Sequence, residues 1–89
     1  MHAFVTVIGK DKVGIIAAIC ILLAEKNVNI LDISQTTLQE YFAMIMLVDM
    51  TEASGSFHEI RKKLDARGSE LGMQIKIQRE DIFNAMHEV

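Results

Sequence analysis

Along this chain apolar and polar positions first alternate, then merge, then space out by threes and fours, and each change of period predicts a new element. Ala3-Phe4-Val5-Thr6-Val7-Ile8 is rich in β-branched residues and stops at Gly9, which reads as a first strand. The mostly apolar run from Val13 to Ala24 predicts a helix reaching about Asn27, with Asp11 as its N-cap. Asn27-Val28-Asn29 turns the chain into a second strand from Ile30 to about Leu38. Leu38 to Tyr41 forms a hairpin connection to a third strand, Phe42 to about Asp49, and Thr51 to Gly55 is a polar loop. Ser56 with Glu59 three positions on is a capping box, in which each residue satisfies an amide that the first helical turn leaves open. Phe57, Ile60, Leu64 and Leu71 then share one helical face, while Arg61, Lys62, Lys63, Asp65 and Arg67 lie largely elsewhere, and Gly72 is a natural stop. Met73, Ile75 and Ile77 alternate with Gln74, Lys76 and Gln78, the pattern of a strand with one wet face. From Glu80 onward Ile82, Phe83, Met86 and Val89 fall at helix-like spacing and predict a short terminal helix.

The sum is β-α-β-β-α-β, an α+β chain of the ferredoxin-like kind: a four-stranded antiparallel sheet with both helices on one face. We expect a single domain over residues 1–89, with a core over 1–79 and a helical tail over 80–89. In this topology the first and third strands are central, and both are apolar on two faces. Val5 and Val7 oppose Phe4 and Ile8, and Met44 and Met46 oppose Ile45 and Leu47. Helices on one side do not require that, so the second face calls for a cover, either the terminal helix or another subunit. A homodimer is the expectation.

Composition sharpens this picture. A hydrophobic content of 51% in 89 residues is more than one small core needs. A net charge of −3 and a pI near 5.5 argue against binding to a nucleic-acid backbone. Arg61-Lys62-Lys63 with Arg67 is diluted by Glu59, Asp65 and Glu70, and the third strand lacks the glycine-framed aromatics of RNA-binding sheets. The run from Val13 to Ala24 is twelve residues long, whereas a membrane-spanning helix needs roughly 20 apolar residues. No basic leader or cleavage site precedes or follows it, so we expect a cytoplasmic protein without membrane association. Cys20 is the single cysteine, which excludes an intramolecular disulfide and the paired cysteines of metal-carrying domains. His2, His58 and His87 are scattered, and no nucleophile turn or acid–base set is visible. We expect no metal, no cofactor and no catalysis.

One segment does carry candidate chemistry. Gly9-Lys10-Asp11-Lys12-Val13-Gly14 opens like a phosphate loop, but Ile15-Ile16 stand where lysine and a hydroxyl residue are required, and the dinucleotide fingerprint is absent too. What remains is a glycine-bearing turn at the N-terminus of a helix, where open amides and the positive dipole end suit a carboxylate. The competing reading is that Gly14 simply allows tight packing of helix on sheet. Asn29 and Asp32 have their own competing reading as turn-forming and solvated residues.

The segment Asp11-Lys12-Val13-Gly14-Ile15, followed by Asn29-Ile30 and then Asp32-Ile33-Ser34, resembles the ACT domain family, a small ligand-binding module of amino-acid metabolism. The family turn is Asp/Asn-Arg-Pro-Gly-aliphatic after the first strand. This chain matches at Asp11, Gly14 and Ile15, changes arginine to Lys12, and has Val13 in place of proline. The resemblance covers nearly the whole chain and its size is that of standalone members. It implies a regulatory domain that binds an amino acid or related small metabolite at a dimer interface. The amides around Val13, Gly14 and Ile15 would hold the ligand carboxylate. The partner's Asn29, with Asp11, would meet the ammonium or fix the turn, with Lys12, Ile30 and Asp32 completing the motif. Gly9 stands where some amino-acid-binding members carry a polar side chain. A metabolic enzyme or regulator is the implied downstream partner. The rival expectation is a dimerisation or protein-interaction module with no small-molecule ligand.

Overall fold

The computed structural model describes residues 1–10 and 13–81. Along them run β1 (His2–Lys10), α1 (Ile15–Glu25), β2 (Asn29–Leu38), β3 (Tyr41–Asp49), α2 (Phe57–Leu71) and β4 (Gln74–Arg79), the order read from the sequence. The strands form one antiparallel sheet in the order β2-β3-β1-β4, so β1 and β3 are central as expected. β1 is longer at both ends than its apolar run, because His2 pairs with Asp49 and Lys10 with Tyr41. Ladder hydrogen bonds belong to the backbone, so pairing continues where side-chain preference has ended.

The core lies between the helices and one face of the sheet. Val5 and Val7 of β1, Met44, Met46 and Val48 of β3, and Ile75 and Ile77 of β4 are buried there. Above them sit Ile15, Ile19 and Leu23, spaced by four on α1, and Ile60 and Leu64 of α2. That spacing lines residues up along one side of a helix. Phe57 and Leu71, expected on the same stripe, are only partly buried at its ends. Between them α2 presses on β4 at Gly68, where a Cβ would lie 2.8 Å from the Met73 carbonyl oxygen and 3.2 Å from Ile75 Cγ1.

Both helices end in the same device. The Val28 amide donates to Leu23 O at 2.9 Å and Asn27 to Ala24 O at 3.0 Å, with Asn27 left-handed at φ 57°. In α2 the Met73 amide donates to Gly68 O at 2.8 Å and Gly72 to Ser69 O at 3.3 Å, with Gly72 at φ 69°. These are Schellman caps, which satisfy the last open carbonyls and turn the chain sharply. Half of the expected capping box starts α2: the Glu59 amide donates to Ser56 Oγ at 3.2 Å, whereas among the described residues no bond returns from the Ser56 amide to the Glu59 carboxylate.

The start of α1 differs from expectation. Its N-cap is Gly14, at φ 86° and ψ 1°, rather than Asp11, and among the described residues no side chain caps it. A left-handed residue cannot continue a right-handed helix, so the helix begins after Gly14. Asp11 and Lys12 themselves lie outside the described residues, as does the expected terminal helix beyond Asp81.

The opposite face of the sheet carries Phe4, Thr6 and Ile8 beside Leu47, Ile45 and Ala43. Neither helix covers it, and Ile8 and Ile45 are 55% and 44% exposed. β2 forms one edge. It holds ten residues and no proline, a register shift between Ile30 and Asp32 bulges it near its start, and Leu31 and Ile33 are exposed.

Candidate functional site

The turn before α1 is where the carboxylate-binding chemistry was expected. A Cβ added at Gly14 would meet none of the described residues within 4 Å, although the residue has φ 86°. Gly14 is therefore not there for close packing of helix on sheet, which corrects that reading. It supplies a left-handed backbone and leaves open space beside the first turn, whose amides lack helical acceptors. Val13 is fully exposed, while Ile15 is 2% exposed and belongs to the core. Only the backbone of Ile15 can face a ligand; its side chain anchors the helix start. Gly9 has a packing reason of its own, since a Cβ there would press on Met73 Sδ.

Asn29 lies at the other end of the sheet. It pairs with Asp49, which pairs in turn with His2 at the start of β1, whereas the turn follows Lys10 beside Tyr41 and Leu38. The ten residues of β2 separate the two ends, roughly 30 Å at the rise of an extended strand. Within one chain, the turn and Asn29 do not meet. Ile30 packs against the core margin, and Asp32 Oδ1 accepts the Ile33 amide at 2.9 Å, a local bond at the bulge.

Around Asn29 the chain forms a cavity of about 450 Å³ lined by Ala24, Asn27, Val28, Asn29, Asp49 and Glu52. Its walls are held by specific bonds. Asn27 Nδ2 donates to the Glu52 carbonyl at 2.9 Å, and the Ser54 amide to Lys26 O at 2.8 Å, tying the loop after β3 to the end of α1. Asp49 Oδ1 accepts the Thr51 hydroxyl at 2.6 Å and the Thr51 amide at 2.9 Å. The Thr51 hydroxyl, then its amide, hold the Asp49 carboxyl below the usual carboxylate range against a weaker opposing effect of desolvation. The Met1 ammonium, 3.9 Å away, adds to the lowering. The sequence reading did not single out Asn27, Asp49 or Glu52. Asp49-Met50-Thr51 carries a turn signal, but its place beside Asn29 depends on strand register, which no local pattern reveals.

Among the described residues no three His, Cys, Asp or Glu side chains are grouped so as to hold a metal ion. Among them, too, no helix is long and apolar enough to cross a membrane.

Comparison with known proteins bears on the whole chain. The ACT domain family model matches residues 2–78. A UPF0237 protein of Clostridium acetobutylicum is 57% identical over 89 residues, covering 100% of both chains. The structure of an ACT domain protein from Streptococcus pneumoniae is similar at a TM-score of 0.79 and 40% identity, covering 100% of this chain and 96% of that one. The regulatory subunit of aspartate kinase from Thermus thermophilus shares the fold at a TM-score of 0.66 and 24% identity, over 86% of this chain and 50% of that one. ACT domains are regulatory ligand-binding modules, and with this fold, this turn and these relatives the chain belongs to the ACT domain family.

Proposed function

We propose that this chain is a non-catalytic, cytoplasmic sensor that binds an amino acid or a related small metabolite between two copies of itself. The observation that carries this reading is the position of the two motif segments at opposite ends of the same edge strand. A twofold partner joined antiparallel along β2 brings its Asn29 end beside the first copy's Gly14 turn, and the reverse. The edge suits such pairing, since it is long, free of proline and exposes Leu31 and Ile33. The ligand carboxylate is held by the amides around Val13, Gly14 and Ile15 at the positive end of α1. The partner's β2 start, Asn29-Ile30, closes the site, with Asp11, Lys12 and Asp32 as its remaining polar members. A ligand contacting both copies favours the dimer geometry that brings its contacts together, and can shift the equilibrium only by that difference in affinity. A metabolic enzyme or regulator would read the change.

A thermal-shift panel of the amino acids at fixed protein concentration tests this. Ligand at about a hundred times Kd stabilises by about 2.7 kcal/mol, roughly ten degrees or more in a chain of this size. Loss of the shift in Gly14→Ala and Asn29→Ala proteins that still fold and dimerise is the expected outcome. A flat panel from cooperatively melting wild type sinks the sensor reading. It would favour the interaction module, which the exposed Ile16 and Ile21 of α1 and the sheet face that neither helix covers support.

A further inference from the structure

We infer that Asp49, a residue outside the motif, supplies the negative charge that recognises a ligand ammonium group, with Asn29 as its neutral neighbour. The inference rests on the reading that an amine-bearing metabolite binds at the Asn29 end of β2. Asn29 and Asp49 are register partners across β2 and β3, and directly opposed residues project on the same side of a sheet. Both line the 450 Å³ cavity, whose apolar wall is Ala24 and Val28.

Asp49 is suited to this by how it is held. Both Thr51 donors and the nearby Met1 ammonium address Oδ1, so the carboxylate is fixed in orientation. Its Oδ2 has no hydrogen-bond partner among the described residues, and neither has the Asn29 side chain. The pair therefore offers an ionised acceptor and an amide acceptor, the complement of a group that only donates. Glu52 adds a second carboxylate to the rim, and α1 ends there without a basic residue in its last turn. The positive groups at that end include Lys26, just past the helix, the Met1 ammonium, His2, which is 3.7 Å from Glu80, and Arg79, opposite Ala3 and bonded to Asp81 at 2.9 Å. A site divided in this way takes the carboxylate from one copy's turn and the ammonium from the other copy's Asn29–Asp49 pair.

The two halves can be probed apart on the full-length protein by amide NMR titration. 2-Aminoethanol, an ammonium without a carboxylate, should shift the amide signals of Asn29, Asp49 and Glu52, and acetate should shift those around Gly14. Asp49→Asn keeps an oxygen for Thr51 but removes the charge, and should weaken the aminoethanol response about tenfold or more while leaving acetate unchanged. Thr51→Val is the control for a structural effect: it keeps the carboxylate and the residue 51 amide but removes the hydroxyl, and should weaken the aminoethanol response less than Asp49→Asn does. An aminoethanol titration that misses these residues, or one that Asp49→Asn leaves intact, overturns the assignment. So does a loss of response in Thr51→Val as large as that in Asp49→Asn. The wild-type amino-acid panel decides the sensor reading separately: an amino acid that stabilises wild type and Asp49→Asn equally removes Asp49 from the site and leaves the sensor standing.

Discussion

Gly14, Asn27 and Asp49 show how much one residue decides here. A Cβ at Gly14 would meet none of the described residues, so Gly14→Ala reads the backbone term: about 1–2 kcal/mol of stability lost to a left-handed alanine, measurable by urea unfolding. Any loss of ligand response beyond that fall in stability belongs to the site. At Asn27 two effects coincide, the left-handed cap and the bond from Nδ2 to the Glu52 carbonyl. Asn27→Gly keeps the first and should lose about 1 kcal/mol, whereas Asn27→Ala loses both and should fall by about 2 kcal/mol. If the two variants unfold alike, the αL requirement is not what selects asparagine. Asp49 has its pKa lowered on folding, first by the Thr51 hydroxyl. Its stabilising contribution is present above the ordinary carboxylate pKa and disappears as pH falls through the lower folded value. The stability gap between wild type and Asp49→Asn should therefore close on acidification, and a gap constant with pH would contradict the ionised role.

Elements here are positioned by where they can approach one another. α2 is a case in which local preference and packing oppose. Alanine is the better helix former by about 1 kcal/mol, so Gly68→Ala would be stabilising in an isolated helix. The added methyl would sit 2.8 Å from the Met73 carbonyl oxygen, a backbone atom with little freedom to move. Overpacking of this kind loses about 1–3 kcal/mol, and packing should win: calorimetry is expected to show a lower melting temperature for Gly68→Ala. A rise would mean that α2 slides along β4 at little cost. The caps at the ends of α1 and α2 serve the same purpose, since each delivers the chain directly into the next strand.

At the scale of the molecule, among the described residues, a sheet face that neither helix covers, an apolar outer side of α1 and the β2 edge all look outward. The proposed antiparallel dimer along β2 would account for the edge and unite the two halves of the proposed site. Ile33→Lys, on the exposed part of β2, should shift the protein from dimer to monomer in light scattering and remove any dependence of its melting temperature on concentration. If the variant stays dimeric, the partner sits elsewhere, on the open face or on α1.

The sequence by itself determined the elements and their order, because hydrophobic period, capping residues and glycine or asparagine stops are local signals that follow from backbone geometry. The Ser56–Glu59 cap, the Gly72 stop, and the double-sided apolarity of β1 and β3 were all legible in this way. It also carried the turn and the Asn29-Ile30 start of β2, through resemblance to a family. It did not determine why Gly14 is glycine, since conformation and close packing select the same residue and only the space around a Cβ separates them. Nor did it place Asp49 beside Asn29 and Gly14 far from both. Those relations are set by strand register and sheet order, which depend on side chains distant in the chain filling one core together, and only the tertiary structure decides them.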